Sequence, residues 1–504
     1  MPMRLDVFAD IPHEIIFEIF LQCLPNDASS RGPQDAPILL THVCSSWRKL
    51  ASQVPELWRN ILLRCNTEDQ PALTISQAIA LKTKAVDQIA LWKYNSRGQL
   101  MDISLELRCL QNGTVDFIDE RFWDAILERA ILDKPEHVQN LSLKFDYCDI
   151  GTPIYALPRT SFFNLETLEF TQLLMTSSPT ITCFSKASKL RRVVTDAGLP
   201  PRISTPCTVI DLPWAQLTHL VLLAPQLSQT FHFVSTECPK LQILCMKLQQ
   251  DVPASFLPPG TETTALAHLR ELSLTLTNIE NLSFMSSIDF PRMTKLQFWT
   301  DARYGYRSIK WDQPFLAHHN HFIDQLHLLH SLTLGHQNIG CDALLGILRE
   351  TPLLVEFIVE SELGTLPRFL DALTYNPEDD FNSLLLPKLE IFRLYIDIRR
   401  CTSTDMSEGP FTNASFFDMI TSRSKLLNLS EGDAYHGLNH VAYLQDVLFH
   451  VFKPVFSSPQ FLDHDDLASR ARHFSEMDSG VSLHVRFSSR KQNSNWLREE
   501  IPTW

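Results

Sequence analysis

The hexapeptide "LRELSL" at residues 269–274 carries the pattern that decides the fold. Leu272 and Leu274 are two residues apart, which places both side chains on one face of a β-strand, while Glu271 and Ser273 alternate to the other face. Leu269 completes the pattern L-x-x-L-x-L. Related hexapeptides, one of them degenerate, occur in nine other segments: "VQNLSL" (138–143), "LETLEF" (165–170), "LRRVVT" (190–195), "LTHLVL" (217–222), "LQILCM" (241–246), "MTKLQF" (293–298), "LHSLTL" (329–334), "LVEFIV" (354–359) and "LEIFRL" (389–394).

These copies follow one another at nearly regular intervals. Most successive copies are 24 to 28 residues apart, and two intervals are longer, at 35 and 36 residues. Each unit offers one short strand and a return segment, and only stacking of neighbouring units buries the inner face of such a strand. The spacing therefore predicts an irregular α/β solenoid of the leucine-rich-repeat type, with parallel strands and helical returns. An ordinary α/β domain with regularly spaced parallel strands is the alternative.

Segments between and beyond the repeats also show secondary-structure patterns. We predict helices in "FWDAILERAIL" (122–132) and "DALLGILRETP" (342–352). Alternating apolar residues predict strands in "LMDISLELR" (100–108) and "VSLHVRF" (481–487), the latter preceded by a helix in "QFLDHDDLASRARHF" (460–474).

The N-terminal segment carries more apolar side chains than three short helices can bury. In "IPHEIIFEIFLQCLP" (11–25) the polar residues form a single helical stripe and apolar residues cover the remaining circumference. "ILLTHVCSSWRKLA" (38–51) predicts a second helix, and "PELWRNILL" (55–63) supplies a third apolar cluster. About fifty residues struggle to bury a core alone. Either the rest of the chain or a partner must cover the excess.

This segment resembles an F-box, a family with a Leu-Pro-x-Glu-Ile/Leu opening, a Val-Cys-x-x-Trp element and a closing Leu-Trp. The corresponding elements are Ile11–Ile15, Val43–Trp47 and Leu57–Trp58. Ile11 replaces the usual leucine, and the loop 26–37 is longer than the common form. The longer loop is similar to that of F-box proteins from mushroom-forming basidiomycete fungi. The spacing of the L-x-x-L-x-L motifs and this resemblance together give the predicted fold class, which is α/β. It consists of a short all-helical F-box followed by an irregular leucine-rich-repeat-like α/β solenoid.

The resemblance implies that the segment docks on a Skp-type adaptor and, through it, on a cullin–RING ubiquitin ligase. Residues at the matching motif positions would form the adaptor-facing or supporting surface: Ile11, Pro12, Ile15, Ile16, Ile19, Leu24, Val43, Cys44, Trp47 and Trp58. The alternative is that these residues form only an internal helical core. For Trp47 and Leu50 the two interpretations are equally favoured.

The predicted organisation has four parts: an F-box (8–65), a helical linker and N-terminal cap with the first strand (66–135), the solenoid (136–400), and a loop insertion with a C-terminal capping region (401–504). The predicted function is substrate recognition for an SCF-type ubiquitin ligase. Contacts with an unknown protein substrate are expected from outward strand positions and from aromatic residues of the irregular segment 301–321, namely Glu169, Ser273, Gln297, Thr333, Tyr304, Tyr306 and Trp311. A scaffold that binds partners without ubiquitination is the second hypothesis, and an enzyme with an unrecognised site is the third.

Composition excludes several other classes. The net charge of −14 argues against nucleic-acid binding, which needs a basic face. The sequence contains no stretch of 18 apolar residues, so it predicts no membrane span. Acidic residues near the N-terminus argue against a signal peptide. Eleven cysteines without a C-x-x-C pair suit reduced thiols, so we expect an intracellular protein of the cytoplasm or nucleus.

The sequence lacks the common motifs for catalysis and cofactor binding. No phosphate-binding glycine loop or G-x-S-x-G nucleophile motif occurs, and "HHNH" (318–321) matches no standard metal spacing. We therefore predict a non-catalytic chain without a cofactor or metal.

Overall fold

The computed structural model describes the following residues: 11–25, 35–65, 75–107, 123–174, 180–196, 209–223, 227–247, 264–276, 288–300, 310–311, 320–335, 338–361, 366–375, 384–397, 413–424, 442–453, 464–476 and 481–489. The chain divides into two compact units, Met1–Pro225 and Gln226–Trp504. Each unit is an α/β structure built around a parallel sheet.

In the first unit the strands lie side by side in the order in which the chain forms them. The described strands are β1 (Asn60–Cys65), β2 (Met101–Leu107), β3 (Val138–Tyr147), β4 (Thr167–Leu174), β5 (Thr180–Ile181), β6 (Arg192–Thr195), β7 (Val209–Ile210) and β8 (His219–Leu222). The main sheet has the order β1-β2-β3-β4-β6-β8, all parallel, and the short strands β5 and β7 pair with each other.

The second unit repeats this arrangement. Its described strands are β9 (Ile243–Lys247), β10 (Thr264–Ala265), β11 (Glu271–Leu276), β12 (Ile288–Asp289), β13 (Lys295–Thr300), β14 (Lys310–Trp311), β15 (Ser331–Gly335), β16 (Asn338–Ile339), β17 (Glu356–Ser361), β18 (Ile391–Asp397), β19 (Asp446–Lys453) and β20 (Ser482–Ser489). The parallel sheet runs β9-β11-β13-β15-β17-β18-β19-β20, with β10–β12 and β14–β16 as separate pairs. This sequential order is consistent with a solenoid-like α/β fold.

Helices and short helical turns provide the connections. The α-helices are α1 (His13–Gln22), α2 (Ile38–Val43), α3 (Ser45–Ala51), α4 (Ile75–Asn95), α5 (Asp124–Leu127), α6 (Thr152–Tyr155), α7 (Leu227–Glu237), α8 (Asn320–Ile323), α9 (Cys341–Arg349), α10 (Leu366–Leu373), α11 (Asn413–Ser424) and α12 (His464–Glu476). A π-helical turn (Glu128–Leu132) continues α5, and 3₁₀ turns occupy Pro55–Trp58, Pro135–His137, Cys148–Gly151, Trp214–Gln216 and Asp324–Leu328.

Hydrogen bonds between neighbouring repeats determine where the strand in "LRELSL" begins. In "LRELSL" the N–H of Leu269 donates to the Leu266 carbonyl in a tight turn at 3.1 Å. The next two N–H groups, of Arg270 and Glu271, both donate to the Gln242 carbonyl of the preceding repeat, at 2.8 and 3.0 Å. The Arg270 carbonyl then accepts two N–H groups from the following repeat in the same way. The strand therefore starts at the third motif position.

All ten repeat motifs form strands, and the predicted helices in 122–132 and 342–352 are present in their described parts. Inner positions such as Leu272 and Leu274 are fully buried, as the alternation predicts. The strand predicted at 100–108 is β2, and the one at 481–487 is β20, preceded by α12.

One prediction about the organisation needs correction. The first strand is β1 at the end of the 8–65 segment, so residues 60–65 belong to the sheet and the segment is not all-helical. The pairs β1–β2, β2–β3 and β18–β19 join strands on either side of the predicted borders at 65, 135 and 400. The boundary between the two compact units, after Pro225, falls within the predicted solenoid (136–400).

Candidate protein-docking surface

Helix α1 has one buried and one exposed apolar side. Pro12 occupies its N-cap and Glu14 lies in its first turn, where a carboxylate complements the helix dipole. Ile16 and Phe20 are 2% and 0% exposed and face the interior, whereas Ile15 is 54% exposed and Ile19 is 42% exposed. The two exposed isoleucines are four residues apart and lie on the same side of the helix.

The segment 38–51 forms two helices, although its pattern predicted one. Cys44 is extended, with φ −159° and ψ 173°, and separates α2 from α3. Its Sγ accepts the N–H of Trp47 at 3.4 Å, so the thiol caps α3 instead of lying on a continuous helix face. Arg48 Nε donates to the Thr41 carbonyl at 2.8 Å and holds α3 against the last turn of α2.

Helix α2 repeats the two-sided arrangement of α1. Leu40 is buried at 4% exposure, while Leu39 is 42% exposed and Val43 is 54% exposed. Leu39 and Val43 are four residues apart and share one side of α2. Each of the two helices therefore presents a pair of large aliphatic side chains to solvent.

Two tryptophan residues pack against these helices, one partly exposed and one buried. The Trp47 ring lies 5.0 Å from the Phe20 ring at an angle of 55°, which joins α3 to α1. Trp58 is 1% exposed, and its Nε1 donates to the Ala51 carbonyl at 2.8 Å. Its ring packs edge-on against Trp92 of α4 at 5.1 Å. Trp58 thus links α3 to the rest of the first unit.

The predicted adaptor-binding residues fall into two groups. Five are exposed (Pro12, Ile15, Ile19, Val43 and Cys44), and three are partly exposed (Ile11, Leu24 and Trp47). Ile16 and Trp58 are buried, so their place is in the supporting core and not on a contact surface. Leu39 was missed, and its position four residues before Val43 is the signal that could have identified it.

The predicted substrate-contact residues are only partly accessible. Glu169 and Ser273 are partly exposed on the outer face of their sheets. Gln297 and Thr333 are 6% and 0% exposed, so the expectation that they lie on a free surface is wrong. Tyr304 and Tyr306 lie outside the described residues, and Trp311 lies in the short strand β14.

Neighbouring strands explain why the outer face of the second unit is covered at these positions. The Trp299 ring lies directly over Gly335, where an added Cβ would clash with the ring. Further along, Ile358 and Tyr395 are each 5% exposed and pack with Leu448. The outer face therefore contains its own cluster of large side chains beside Thr333.

On strands β2, β3 and β4 of the first unit the outer face is polar and contains paired charges. Glu169 accepts the Ser142 hydroxyl at 2.6 Å and forms an ion pair with Lys144 at 2.7 Å. Arg64 and Glu106 pair at 3.2 Å on neighbouring strands. These outer-face residues offer hydrogen-bonding groups and opposite charges. They do not form a grouping of catalytic side chains.

The described residues contain no metal cluster and no membrane-spanning helix. Among the described residues no group of three or more His, Cys, Asp or Glu side chains could hold a metal ion. Within the same residues, none of the helices combines the length and apolar character needed to span a bilayer. His321 of the "HHNH" segment pairs with Asp289 at 2.7 Å.

In comparison with known proteins, no family model matches the chain, and no curated protein matches it significantly.

Proposed function

We propose that this chain is the substrate-recognition subunit of an SCF-type ubiquitin ligase. Its N-terminal helices act as an F-box that docks on a Skp-type adaptor, and its leucine-rich-repeat-like sheets bind a target protein. Catalysis belongs to the ubiquitin-conjugating machinery, while this chain contributes proximity and orientation.

One observation carries the docking part of the proposal. The core beneath α1 and α2 is already closed by Ile16, Phe20 and Leu40, yet the exposed set Ile15, Ile19, Leu39 and Val43 remains in solvent. Exposed apolar patches on soluble proteins mark interaction sites. Ile15 and Val43 also fall on the motif positions that resemble the F-box pattern.

The target-binding part rests on the outer face of the sheets. Glu169, Lys144 and Ser142 form an accessible polar ladder in the first unit, and Ser273 is accessible in the second. Polar ladders of this kind suit recognition of a protein surface through hydrogen bonds and paired charges. Gln297 and Thr333 are no longer part of the proposed contact surface.

The test is capture of the full chain by an immobilised, purified Skp-type adaptor. Ile15→Asp and Val43→Asp each place a charge where the adaptor would exclude water, and we expect at least about a tenfold loss of binding. Phe163→Asp is the matched control, because Phe163 is 48% exposed and lies outside the N-terminal helices. It should bind like the wild type.

Far-UV circular dichroism establishes that each variant is folded. If the wild type fails to bind, or if Ile15→Asp and Val43→Asp bind as well as Phe163→Asp, the docking proposal is wrong. A target that accumulates when the chain is deleted, and again when Ile15→Asp replaces the wild type, would separate the ligase from a scaffold without ligase activity.

A further inference from the structure

A group of exposed cations lies on the turn that precedes β6. Lys186, Lys189 and Arg191 occur within six residues of the sequence, and all three are exposed. Leu190, between the last two, is fully buried and anchors the turn in the core. Its N–H donates to the Ala187 carbonyl at 3.1 Å, which closes the turn. The cations therefore project from a fixed backbone.

Two of these cations are held in place by hydrogen bonds. Lys189 Nζ donates to Asn164 Oδ1 of the preceding repeat at 2.8 Å. Arg191 Nη1 donates to the carbonyls of Ser188 and Leu190 at 3.1 and 3.0 Å. Most N–H donors of both groups remain available to a ligand. Because the side chains are already positioned, an anionic partner loses less entropy when it binds them.

The positive charge of this turn is not neutralised by its surroundings. Within the described part of the chain, none of the three cations forms an ion pair with a carboxylate. The backbone carbonyl of Glu166 accepts the Arg191 N–H at 2.9 Å, but the Glu166 carboxylate accepts Gln139 Nε2 at 3.0 Å instead. In a chain with a net charge of −14 this turn is a local exception, and it attracts anions.

An exposed aromatic ring adjoins the cations. Phe163 is 48% exposed and directly precedes Asn164, the residue that Lys189 contacts. The two turns are already packed together by Phe162 and Phe184, whose ring centroids are 4.9 Å apart and whose side chains are fully buried. Phe163 is therefore not needed for this packing. We call Phe163, Lys186, Lys189 and Arg191 the basic surface.

We propose that the basic surface binds an acidic segment of a partner protein. Asp and Glu side chains of that segment pair with the three cations, and an apolar side chain covers Phe163. Clusters of cations commonly recognise acidic motifs in this way. A nucleic acid is a poorer fit, because three cations in an acidic chain do not form the extended basic face that it requires.

The proposed complex is weak and salt-dependent. Ion pairs between exposed groups contribute little individually and are screened by salt. The inference does not depend on adaptor docking, because the basic surface lies on the turns before β4 and β6 and not on α1 or α2.

Fluorescence anisotropy with the full chain is the primary test. The probe is a labelled peptide of about ten residues that contains Asp, Glu and one central leucine. We expect saturable binding with a dissociation constant on the order of 10–100 µM at about 50 mM salt, and at least tenfold weaker binding at about 500 mM salt. A peptide with Asn and Gln in place of the acidic residues should bind at least about tenfold more weakly.

Charge reversal assigns the binding to the surface. Lys189→Glu and Arg191→Glu should each weaken peptide binding at least about fivefold, because each replaces an attraction by a repulsion. Lys84→Glu is the matched control, since Lys84 is exposed on α4 and its replacement changes the net charge equally. It should change binding less than about twofold. Phe163→Ser should weaken binding about threefold at both salt concentrations, because an apolar contact is not screened.

Several results would overturn the proposal: no saturable binding, equal effects of Lys84→Glu and Lys189→Glu, or equal binding of the Asn/Gln peptide. Tighter binding of a phosphoserine peptide without Asp or Glu would refute carboxylates as the ligand. Tighter binding of a single-stranded oligonucleotide that is lost in Arg191→Glu would assign the surface to nucleic acid and refute a protein segment.

Adaptor binding separates this proposal from the proposed function. Lys189→Glu should bind the Skp-type adaptor like the wild type, and loss of adaptor binding in this variant would show that the adaptor itself covers the basic surface, against the proposal. If the wild type fails to bind the adaptor, the docking proposal fails while peptide binding is still expected. The two proposals can therefore fail independently.

Discussion

Arg423 makes the stability of the second unit depend on one buried cation. Its side chain is 0% exposed, and burial lowers the pKa of the guanidinium to about 10, so it is still charged at neutral pH. Its Nε, Nη1 and Nη2 atoms donate to the carbonyls of Leu373, Leu386 and Leu385 at 2.7, 3.0 and 2.5 Å. Arg423 forms no ion pair with any carboxylate among the described residues.

Replacement of Arg423 by Met removes these donors while keeping most of the volume. A buried acceptor that loses its partner costs about 1–3 kcal/mol, so three such carbonyls cost about 3–9 kcal/mol. Removing the charge recovers part of its desolvation penalty, of several kcal/mol. The expected net loss is about 3 kcal/mol, concentrated where the end of α10 meets α11.

Native-state hydrogen exchange of α10 and α11 measures this loss locally. About 3 kcal/mol corresponds to roughly 150-fold faster exchange in these helices. Arg423→Lys should recover little, since one ammonium cannot reproduce the planar fork. Arg470→Met is the control, because Arg470 is half exposed, pairs with Asp466 at 2.8 Å and should cost less than about 1 kcal/mol. Acceleration below about fivefold in Arg423→Met would refute this account of the buried cation.

Three further predictions concern other buried groups. Burial, assisted by Arg486, lowers the pKa of His450 from 6.5 to about 4, so the unfolded chain binds the proton more readily and stability should fall as the pH falls from about 6.5 to 4. Urea titrations should show a shallower decline in His450→Gln, and an unchanged slope would contradict this. Burial raises the pKa of the Cys183 thiol to about 12, whereas Cys44 is exposed. Iodoacetamide should therefore modify Cys44 before Cys183, and a bound adaptor should protect Cys44. Peptide mass spectrometry measures the order of modification, and modification of Cys183 first would contradict this prediction. Gly335→Ala should displace the Trp299 ring and lower the free energy of unfolding in urea by about 1–3 kcal/mol. In a Trp299→Ala background the same substitution should cost much less, because the ring is absent. An equal cost in both backgrounds would show that the contact with Trp299 is not its cause.

The repeated strands could be predicted because one local rule accounts for them. In nine of the ten repeats the first motif residue ends a tight turn, and in eight of them the next carbonyl accepts two N–H groups of the following strand. Leu272 and Leu274 are then buried by simple alternation. Because the rule recurs in most repeats, even a degenerate copy such as "LRRVVT" is recognisable. The strand β1 was missed because its residues continue the apolar cluster of the N-terminal segment, which was predicted to be helical.

Features that depend on side-chain contacts were not predictable from local patterns. Helical periodicity favoured a single helix through Cys44, but the thiol accepts the Trp47 N–H and ends the continuity there. Alternation placed Thr333 correctly on the outer face, yet accessibility there depends on large side chains of neighbouring strands. The burial of Arg423 depends on carbonyls that are 37 to 50 residues distant in the sequence.

Exposed and buried apolar side chains lie side by side in the helices of the first unit. Ile15 and Ile16 are neighbours in the sequence, yet one is exposed and the other buried, so substitutions at the two positions should affect binding and folding separately. Trp58 and Trp92 are in ring contact and hold the docking helices against α4 from inside. The exposed faces of α1, α2 and α4 lie outside this contact and outside the buried core, so a charged substitution on any of them should leave the core intact. Their apolar character therefore contributes little to folding, which is the reason to test these faces by binding and not by stability.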